Sequence, residues 1–105
     1  MRVPAWTVTL KESVVDDLRA LGRREGRAVL KGAVARLAAD PLAETRRPNP
    51  VAHRELRLFE KYRVLFIVER AERRVTIVLA GETRGETLLV RGRRFTAHHE
   101  SHPPE

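Results

Sequence analysis

Three short stretches in the second half of the chain decide the fold: Arg54-Glu55-Leu56-Arg57, Lys61-Tyr62-Arg63-Val64-Leu65-Phe66 and Ala80-Gly81-Glu82-Thr83-Arg84-Gly85. Arginine recurs among Val, Leu and Phe in segments that are otherwise typical of buried β-strands. A strand that mixes apolar side chains with arginine on a fixed parity has one face for the core and another for an anionic partner. RNA or DNA is the first candidate for that partner, because its phosphate backbone is polyanionic.

The strands extend beyond these stretches. Residues 54–59, 62–70 and 75–83 are predicted as three strands, and residues 87–90 as a weaker further strand. Tight charged turns join the three strands, which indicates an antiparallel meander. Residues 64–68 are apolar on both parities. The second of these strands is therefore expected at the centre of the sheet.

The N-terminal part predicts one strand and one helix. Apolar residues and threonines alternate over residues 5–10, which is typical of a strand, and Trp6 is expected in the core. Ser13 is expected to cap a first helix over residues 12–22, with acidic residues in its first turn.

A second helix is predicted over residues 28–39, after a break bracketed by Gly22 and Gly26. The Asp40-Pro41 pair ends it, because the residue before proline is pushed out of the helical region. Residues 41–50 contain three prolines and are expected to form a surface loop.

These elements predict an α+β fold: an N-terminal strand, a two-helix hairpin on one sheet face, and a three- to four-stranded antiparallel meander. A chain of 105 residues is expected to form one domain. We assign residues 1–97 to that domain and residues 98–105 to a polar C-terminal tail.

The charge balance favours an acidic partner. Lys and Arg number 21 against 14 Asp and Glu, which gives a net charge of +7 and a pI of about 11.2. Nucleic acid, an anionic membrane surface or an acidic protein would fit this charge. The alternative is a solubilising surface in an arginine-biased genome, since only Lys11, Lys31 and Lys61 are lysines.

The sequence disfavours cysteine-based sites, and it also disfavours a membrane or secreted protein. The chain has no cysteine, so a disulfide framework, a thiolate nucleophile and a cysteine zinc site are excluded. No apolar run approaches the roughly 18 residues of a membrane helix, and residues 1–6 lack the apolar stretch of a signal peptide. We expect a soluble cytoplasmic protein with no membrane partner.

Several segments resemble the RelE/ParE superfamily of type II toxin–antitoxin toxins. They are Val8-Thr9-Leu10 leading into residues 16–21, Leu37-Ala38-Ala39-Asp40-Pro41, Arg54-Glu55-Leu56-Arg57, Tyr62-Arg63-Val64-Leu65-Phe66, and Leu79-Ala80-Gly81 before Arg84. The resemblance covers residues 6–99. It implies a helical hairpin on a small twisted antiparallel sheet. RelE-like members cut mRNA, usually in the ribosomal A site, whereas ParE-like members inhibit DNA gyrase. A cognate antitoxin holds both inactive.

The resemblance also implies a phosphate-binding site. Arg63, which follows the strand tyrosine, corresponds to the phosphate-stabilising arginine, and Arg84 resembles the second family arginine. Further contacts with nucleic acid are expected from six basic residues: Arg54, Arg57, Lys61, Arg91, Arg93 and Arg94. Arginine keeps its charge throughout the working pH range.

The acid and the base of such a reaction are less well matched. Residues 88–90, Leu-Leu-Val, stand where RelE-like nucleases carry a tyrosine. His98 and His99 are the candidates for the acid, since the ordinary pKa of histidine, about 6.5, suits that role. Lys61 and Glu55 are the candidates for the base, although neither matches a family base.

Each of these residues could instead have a purely structural role. Arg63 could pair with Glu55 or Glu69 across the sheet. Arg84 could serve only in a turn and Tyr62 only in packing, while the histidines at 98, 99 and 102 could be simple tail residues. The arginines at 91, 93 and 94 could form a solvated turn. Adjacent histidines project apart, so no metal and no cofactor is expected.

Three functions remain open. The first is a RelE-like, metal-independent mRNA endoribonuclease that works by 2′-OH attack on the phosphodiester and is associated with the ribosome. The second is a ParE-like gyrase inhibitor, and the third is a degenerate member that only binds antitoxin or DNA. The strand arginines favour the first, and the missing tyrosine favours the second and third. The expected partners are a cognate antitoxin, mRNA with the ribosome, and operator DNA through the antitoxin complex alone.

Overall fold

The computed structural model describes residues 6–42 and 53–95. The elements in chain order are β1 (Thr7–Leu10), α1 (Glu12–Ala20), α2 (Arg23–Ala39), β2 (Arg54–Leu58), β3 (Tyr62–Glu69), a 3₁₀ turn (Arg70–Glu72), β4 (Arg74–Arg84), β5 (Thr87–Val90) and β6 (Arg93–Phe95). Most of the predicted proline loop and all of the predicted tail lie outside these residues. The predicted α+β class is confirmed.

The sheet has six strands, and β4 is its longest member. Strands β2 to β6 form an antiparallel meander in sequence order, while β1 pairs with β4 in parallel. The first half of β4 pairs with β1 and its last three residues pair with β5. The meander is therefore confirmed and one strand longer than expected, because Arg93 and Arg94 belong to β6 and not to a turn.

The core lies between the sheet and the two helices. Its helical side comes from four residues: Val14, Val29, Ala33 and Leu37. Its sheet side comes from three strands, whose inward residues alternate except at the register shift between Ile77 and Leu79: Leu56, Leu58, Tyr62, Val64, Phe66, Val75, Ile77 and Ala80. Trp6 packs against this core and is partly buried, and the Arg73 guanidinium lies 4.7 Å from its ring centre.

Helix α1 begins at the predicted residue but ends two residues early and has a different cap, and helix α2 begins five residues before its predicted start. Helix α1 follows Lys11, which is extended, and Ser13 lies inside the helix and does not cap it. Helix α2 begins at Arg23, and Gly26 is buried within it. A Cβ at Gly26 would overlap the Leu18 carbonyl oxygen of α1, so this glycine permits close packing of the helices and does not break α2.

The tips of two hairpins are tied together. The Thr83 backbone N–H donates to the Lys61 carbonyl oxygen at 2.7 Å, and the Thr83 hydroxyl contacts the same oxygen at 3.1 Å. Strand β5 also passes close over β4, since a Cβ at Gly81 would lie 2.5 Å from the Leu89 carbonyl oxygen. The β2–β3 turn and the β4–β5 turn therefore face one another across a recess.

No helix within residues 6–42 and 53–95 is long and apolar enough to cross a membrane.

Candidate functional site

The recess between the two hairpin tips is a pocket of about 420 Å³. We call it the tip pocket. Its lining residues are Arg57, Glu60, Tyr62, Arg63, Thr83, Gly85 and Glu86. It combines two arginines with two carboxylates, and it lies on the sheet face opposite the helices.

Arg57 and Arg63 stand directly opposite one another on β2 and β3. Cβ atoms of opposed residues are about 5 Å apart, and two like charges in such a pair oppose sheet formation. Arg57 is exposed and forms no ion pair with the residues that the structure describes. An anion placed between the two guanidinium groups would remove the repulsion.

Arg63 is held by a buried carboxylate. Its Nε atom lies 2.9 Å from Oε2 of Glu55, whose side chain is 6% exposed, against 24% for Arg63. The N–H direction does not meet hydrogen-bond geometry, so the contact is a charge pair. The predicted possibility of a cross-sheet pair with Glu55 is therefore confirmed. The pair neutralises one charge behind the pocket and restrains the guanidinium.

Arg84 and Lys61 stand at the rim of the tip pocket and do not line it. Both approach Oε2 of Glu82 at 4.0 Å, and both side chains are largely exposed. Exposed pairs of this kind contribute at most about 1 kcal/mol. The Lys61 ammonium also lies 5.4 Å from the centre of the Tyr62 ring. Both residues are near the pocket but only weakly restrained.

Arg54 does not share the face of Arg57. Strand alternation places Arg54 with Leu56 and Leu58, which enter the core, and its register partner is Phe66. The expectation of one shared basic face is wrong for Arg54, because residues 54 and 57 have opposite parity. Its contact with nucleic acid remains a prediction.

The arginines at positions 91, 93 and 94 surround a different pocket. This pocket, of about 390 Å³, lies at the opposite end of β5. It has an apolar floor that includes Leu65 and Leu79, and Lys11 also lines it. The three arginines are therefore separated from the tip pocket by roughly the length of β5, about 10 Å.

Arg91 pairs with a carboxylate that sequence analysis missed. Its Nε atom lies 2.8 Å from Oδ1 of Asp17, which is 2% exposed. Oδ2 of Asp17 accepts a hydrogen bond from the Ala80 backbone N–H at 3.1 Å. Burial raises the pKa of Asp17, and the Ala80 hydrogen bond and the Arg91 charge oppose that rise. Asp17 has helical spacing to Val14 and Leu21, a signal that would have placed it on the buried face.

Sequence analysis also missed Glu60 and Glu86. Both carboxylates line the tip pocket, and neither pairs with a basic group in the described part of the chain. Each lies in a turn between predicted strands. A prediction that these two turns lie side by side would have brought the two carboxylates together. Phe59 and Glu60 both have positive φ, 53° and 60°.

The candidate acids are not placed by the structure. His98 and His99 lie outside the described residues. Leu88 and Val90 are buried, and Tyr62 is buried in the core, which agrees with a packing role. Within residues 6–42 and 53–95, no three potential metal ligands come together.

Comparison with known proteins identifies the fold. No family model matches the chain, and no curated protein matches it. The toxin–antitoxin complex RelBE2 of Mycobacterium tuberculosis contains a chain with a TM-score of 0.70 and 21% identity, covering 78% of this chain and 95% of that one.

Two structures from Escherichia coli are also similar. The isolated RelE toxin has a TM-score of 0.61 and 16% identity over 92% of this chain and 95% of that one. A chain of the intact RelBE toxin–antitoxin complex has a TM-score of 0.59 and 22% identity over 76% and 99%. The resemblance to RelE is thereby confirmed at the level of the fold: this chain has the fold of the RelE toxins.

Proposed function

We propose that this protein is the toxin of a type II toxin–antitoxin system and that it cleaves mRNA at the tip pocket, in association with the ribosome. The observation that carries the proposal is the opposed pair of Arg57 and Arg63 in one pocket with two carboxylates that no described basic group pairs. Residues 1–97 would form the toxin domain. Because mRNA is its substrate, we place its action in the cytoplasm.

Metal-free RNA cleavage needs positive charge on the phosphate and a base for the 2′-OH. In this proposal Arg57 and Arg63 bind the non-bridging phosphate oxygens. Arg63 stays oriented because Glu55 holds its Nε side. Arg57 supplies a full charge, since no described carboxylate neutralises it. Arg84 and Lys61 at the rim would contact neighbouring phosphates.

A cognate antitoxin is the proposed regulator. The similar chains from Mycobacterium tuberculosis and Escherichia coli were solved in complexes with their antitoxins. In this chain the two helices form an apolar groove with a basic rim. Its apolar residues are Leu10, Val15, Leu18 and Leu30, and its basic ones are Arg19, Arg23 and Arg27. We propose that an acidic amphipathic helix of the antitoxin occupies it, and that operator DNA is bound only through that complex.

One observation favours a second function, inhibition of DNA gyrase without cleavage. Around the tip pocket, four basic residues (Arg57, Lys61, Arg63, Arg84) face four acidic ones (Glu55, Glu60, Glu82, Glu86). A region with no net charge fits a protein partner better than a polyanion.

The two functions separate in one experiment. The protein is induced in cells, and mRNA integrity and plasmid supercoiling are measured in the same cultures, for wild type and Arg57→Ala. Loss of mRNA that depends on Arg57 supports the nuclease. A change in supercoiling with intact mRNA contradicts it and supports the gyrase inhibitor.

A further inference from the structure

We propose that Glu60 is the general base of the RNA cleavage, an inference that rests on the proposed function. Sequence analysis offered Lys61 and Glu55 for this role. The structure shows two more carboxylates, Glu60 and Glu86, in the pocket that holds Arg57 and Arg63. The choice among these groups follows from their partners, their exposure and the backbone that carries them.

Glu55 and Lys61 are committed elsewhere. Glu55 is 6% exposed, and its Oε2 lies against Arg63. A carboxylate that is enclosed and neutralised in this way is out of reach of a 2′-hydroxyl. Lys61 lies near Glu82 and over the Tyr62 ring, and it does not line the pocket. Neither group is free to accept a proton there.

Glu60 has no ion-pair partner in the described part of the chain, and it stands on a restrained turn. The Lys61 N–H donates to the Leu58 carbonyl oxygen at 3.2 Å, which closes a turn around Phe59 and Glu60. Two hydrogen bonds from Thr83 to the Lys61 carbonyl oxygen then fix that turn against β4. A base must be held in place before the reaction, because misplacement costs rate.

The backbone at Glu60 is unusual for the residue it carries. Turns with two positive φ angles normally contain asparagine or glycine, whereas this one contains Phe59 and Glu60. Glutamate disfavours a positive φ, so its presence here costs conformational free energy. Residues held in such disfavoured backbone conformations concentrate at functional sites. Glu86 follows Gly85, around which a Cβ would meet nothing within 4 Å, so its turn is not packed.

The chemistry balances with this assignment. The Glu60 carboxylate removes the proton of the 2′-OH, and the 2′-oxygen forms a bond to phosphorus. The bond from phosphorus to the 5′-oxygen breaks, and that oxygen takes a proton from water. The resulting hydroxide takes the proton from Glu60. Arg57 and Arg63 stabilise the charge that develops on the phosphoryl oxygens. The products are a 2′,3′-cyclic phosphate and a 5′-hydroxyl.

The test compares Glu60→Gly with wild type on a defined RNA presented with ribosomes. Glycine suits the positive φ, so the variant is expected to unfold no more easily than wild type. We expect kcat to fall by about 100-fold or more. Binding of an uncleavable RNA with a 2′-deoxy nucleotide at the cleaved position should change by less than about threefold. Added formate should restore cleavage, because it replaces the missing carboxylate.

A second variant keeps the shape of the side chain and removes its charge. Glu60→Gln should lose cleavage as Glu60→Gly does while it still binds the uncleavable RNA, because an amide cannot take the proton of the 2′-OH. Glu12→Gln, which removes an exposed carboxylate on α1, is the control and should behave like wild type.

The outcomes that overturn the proposal are distinct. If Glu60→Gly retains activity, or if Glu86→Gln and not Glu60→Gln abolishes cleavage, Glu60 is not the base, although the nuclease function stands. If wild type does not cut RNA, the proposed function fails and the base assignment fails with it.

Discussion

The Nε atom of Arg63 lies 2.9 Å from Oε2 of Glu55, and Arg63 also stands directly opposite Arg57 on β2. One arginine of the opposed pair is thus anchored by a buried carboxylate, and its neighbour has no ion-pair partner among residues 6–42 and 53–95. This asymmetry separates what Arg63 does for the fold from what Arg57 does for binding.

Arg63→Ala is expected to destabilise the protein. It would leave the Glu55 carboxylate buried without a counter-charge, which costs about 2 kcal/mol or more of unfolding free energy. Urea unfolding followed by circular dichroism measures this. The double variant Glu55→Gln/Arg63→Gln should recover part of the loss, because it removes both charges. Equal stability of Arg63→Ala and wild type would mean that the pair is not formed.

Arg57→Ala is the cleaner test of phosphate binding. Arg57 is exposed, and its removal relieves repulsion with Arg63, so stability should change by less than about 0.5 kcal/mol. The slope of log K against log salt for single-stranded RNA should become shallower by about 0.7. Arg24→Ala removes an exposed arginine on α2 and should leave the slope unchanged. Equal slopes for the two variants would remove Arg57 from the binding site.

Asp17→Asn is expected to lower stability by about 1 kcal/mol at neutral pH, because its buried amide N–H group would face the Arg91 guanidinium, which offers no acceptor, while the amide oxygen still accepts from Ala80. Burial raises the pKa of Asp17 above 3.8, so the folded state binds this proton more readily than the unfolded state. The contribution of Asp17 to the free energy of unfolding therefore grows as pH falls towards 3.8, the ordinary pKa of an aspartate.

The gap between wild type and Asp17→Asn should accordingly widen from neutral pH towards about pH 4. Chemical unfolding at several pH values measures it. Glu12→Gln, at an exposed position of the same helix, is the control and should show no such widening. A gap that narrows in acid would show that the Arg91 charge outweighs burial at Asp17.

Two glycines of α2 should respond oppositely to alanine. Gly32→Ala should stabilise the protein by about 0.5–1 kcal/mol, since alanine favours helix and its Cβ would lie 3.4 Å from the nearest Leu58 atom. Gly26→Ala should instead destabilise it by about 1–3 kcal/mol, because its Cβ would overlap the Leu18 carbonyl oxygen. Thermal unfolding of both variants decides this, and similar shifts would contradict the close helix packing.

Val15→Glu should weaken the complex with the antitoxin. Val15 is 42% exposed and lines the apolar groove between the helices, where a carboxylate would replace an apolar contact. Val34→Glu is the matched control, since Val34 is 37% exposed on α2 but does not line the groove. A pull-down with the proposed antitoxin, sought as the product of a neighbouring gene, measures both. Equal affinities would place the antitoxin elsewhere.

The sequence alone determined the order and type of most elements. The signals used were local ones: alternation in the strands, helical spacing around Val14 and the Asp40-Pro41 stop. Each involves residues only a few positions apart, so each can be recognised in the sequence. The same signals placed the start of α2 at residue 28 and not at Arg23, because Gly26 was interpreted as part of a break between the helices. Gly26 is needed because its backbone packs against Leu18 of the first helix, and the helix continues through it.

Tertiary structure alone decided which charges meet. Glu60 and Glu86 are remote in sequence but share a pocket because the Thr83–Lys61 hydrogen bonds join their turns. The partners of Asp17 likewise come from tertiary structure, since Ala80 and Arg91 are remote from it in sequence. Charge–charge contacts of this kind depend on strand register and on packing over long sequence separations, and a composition or a local pattern does not encode them.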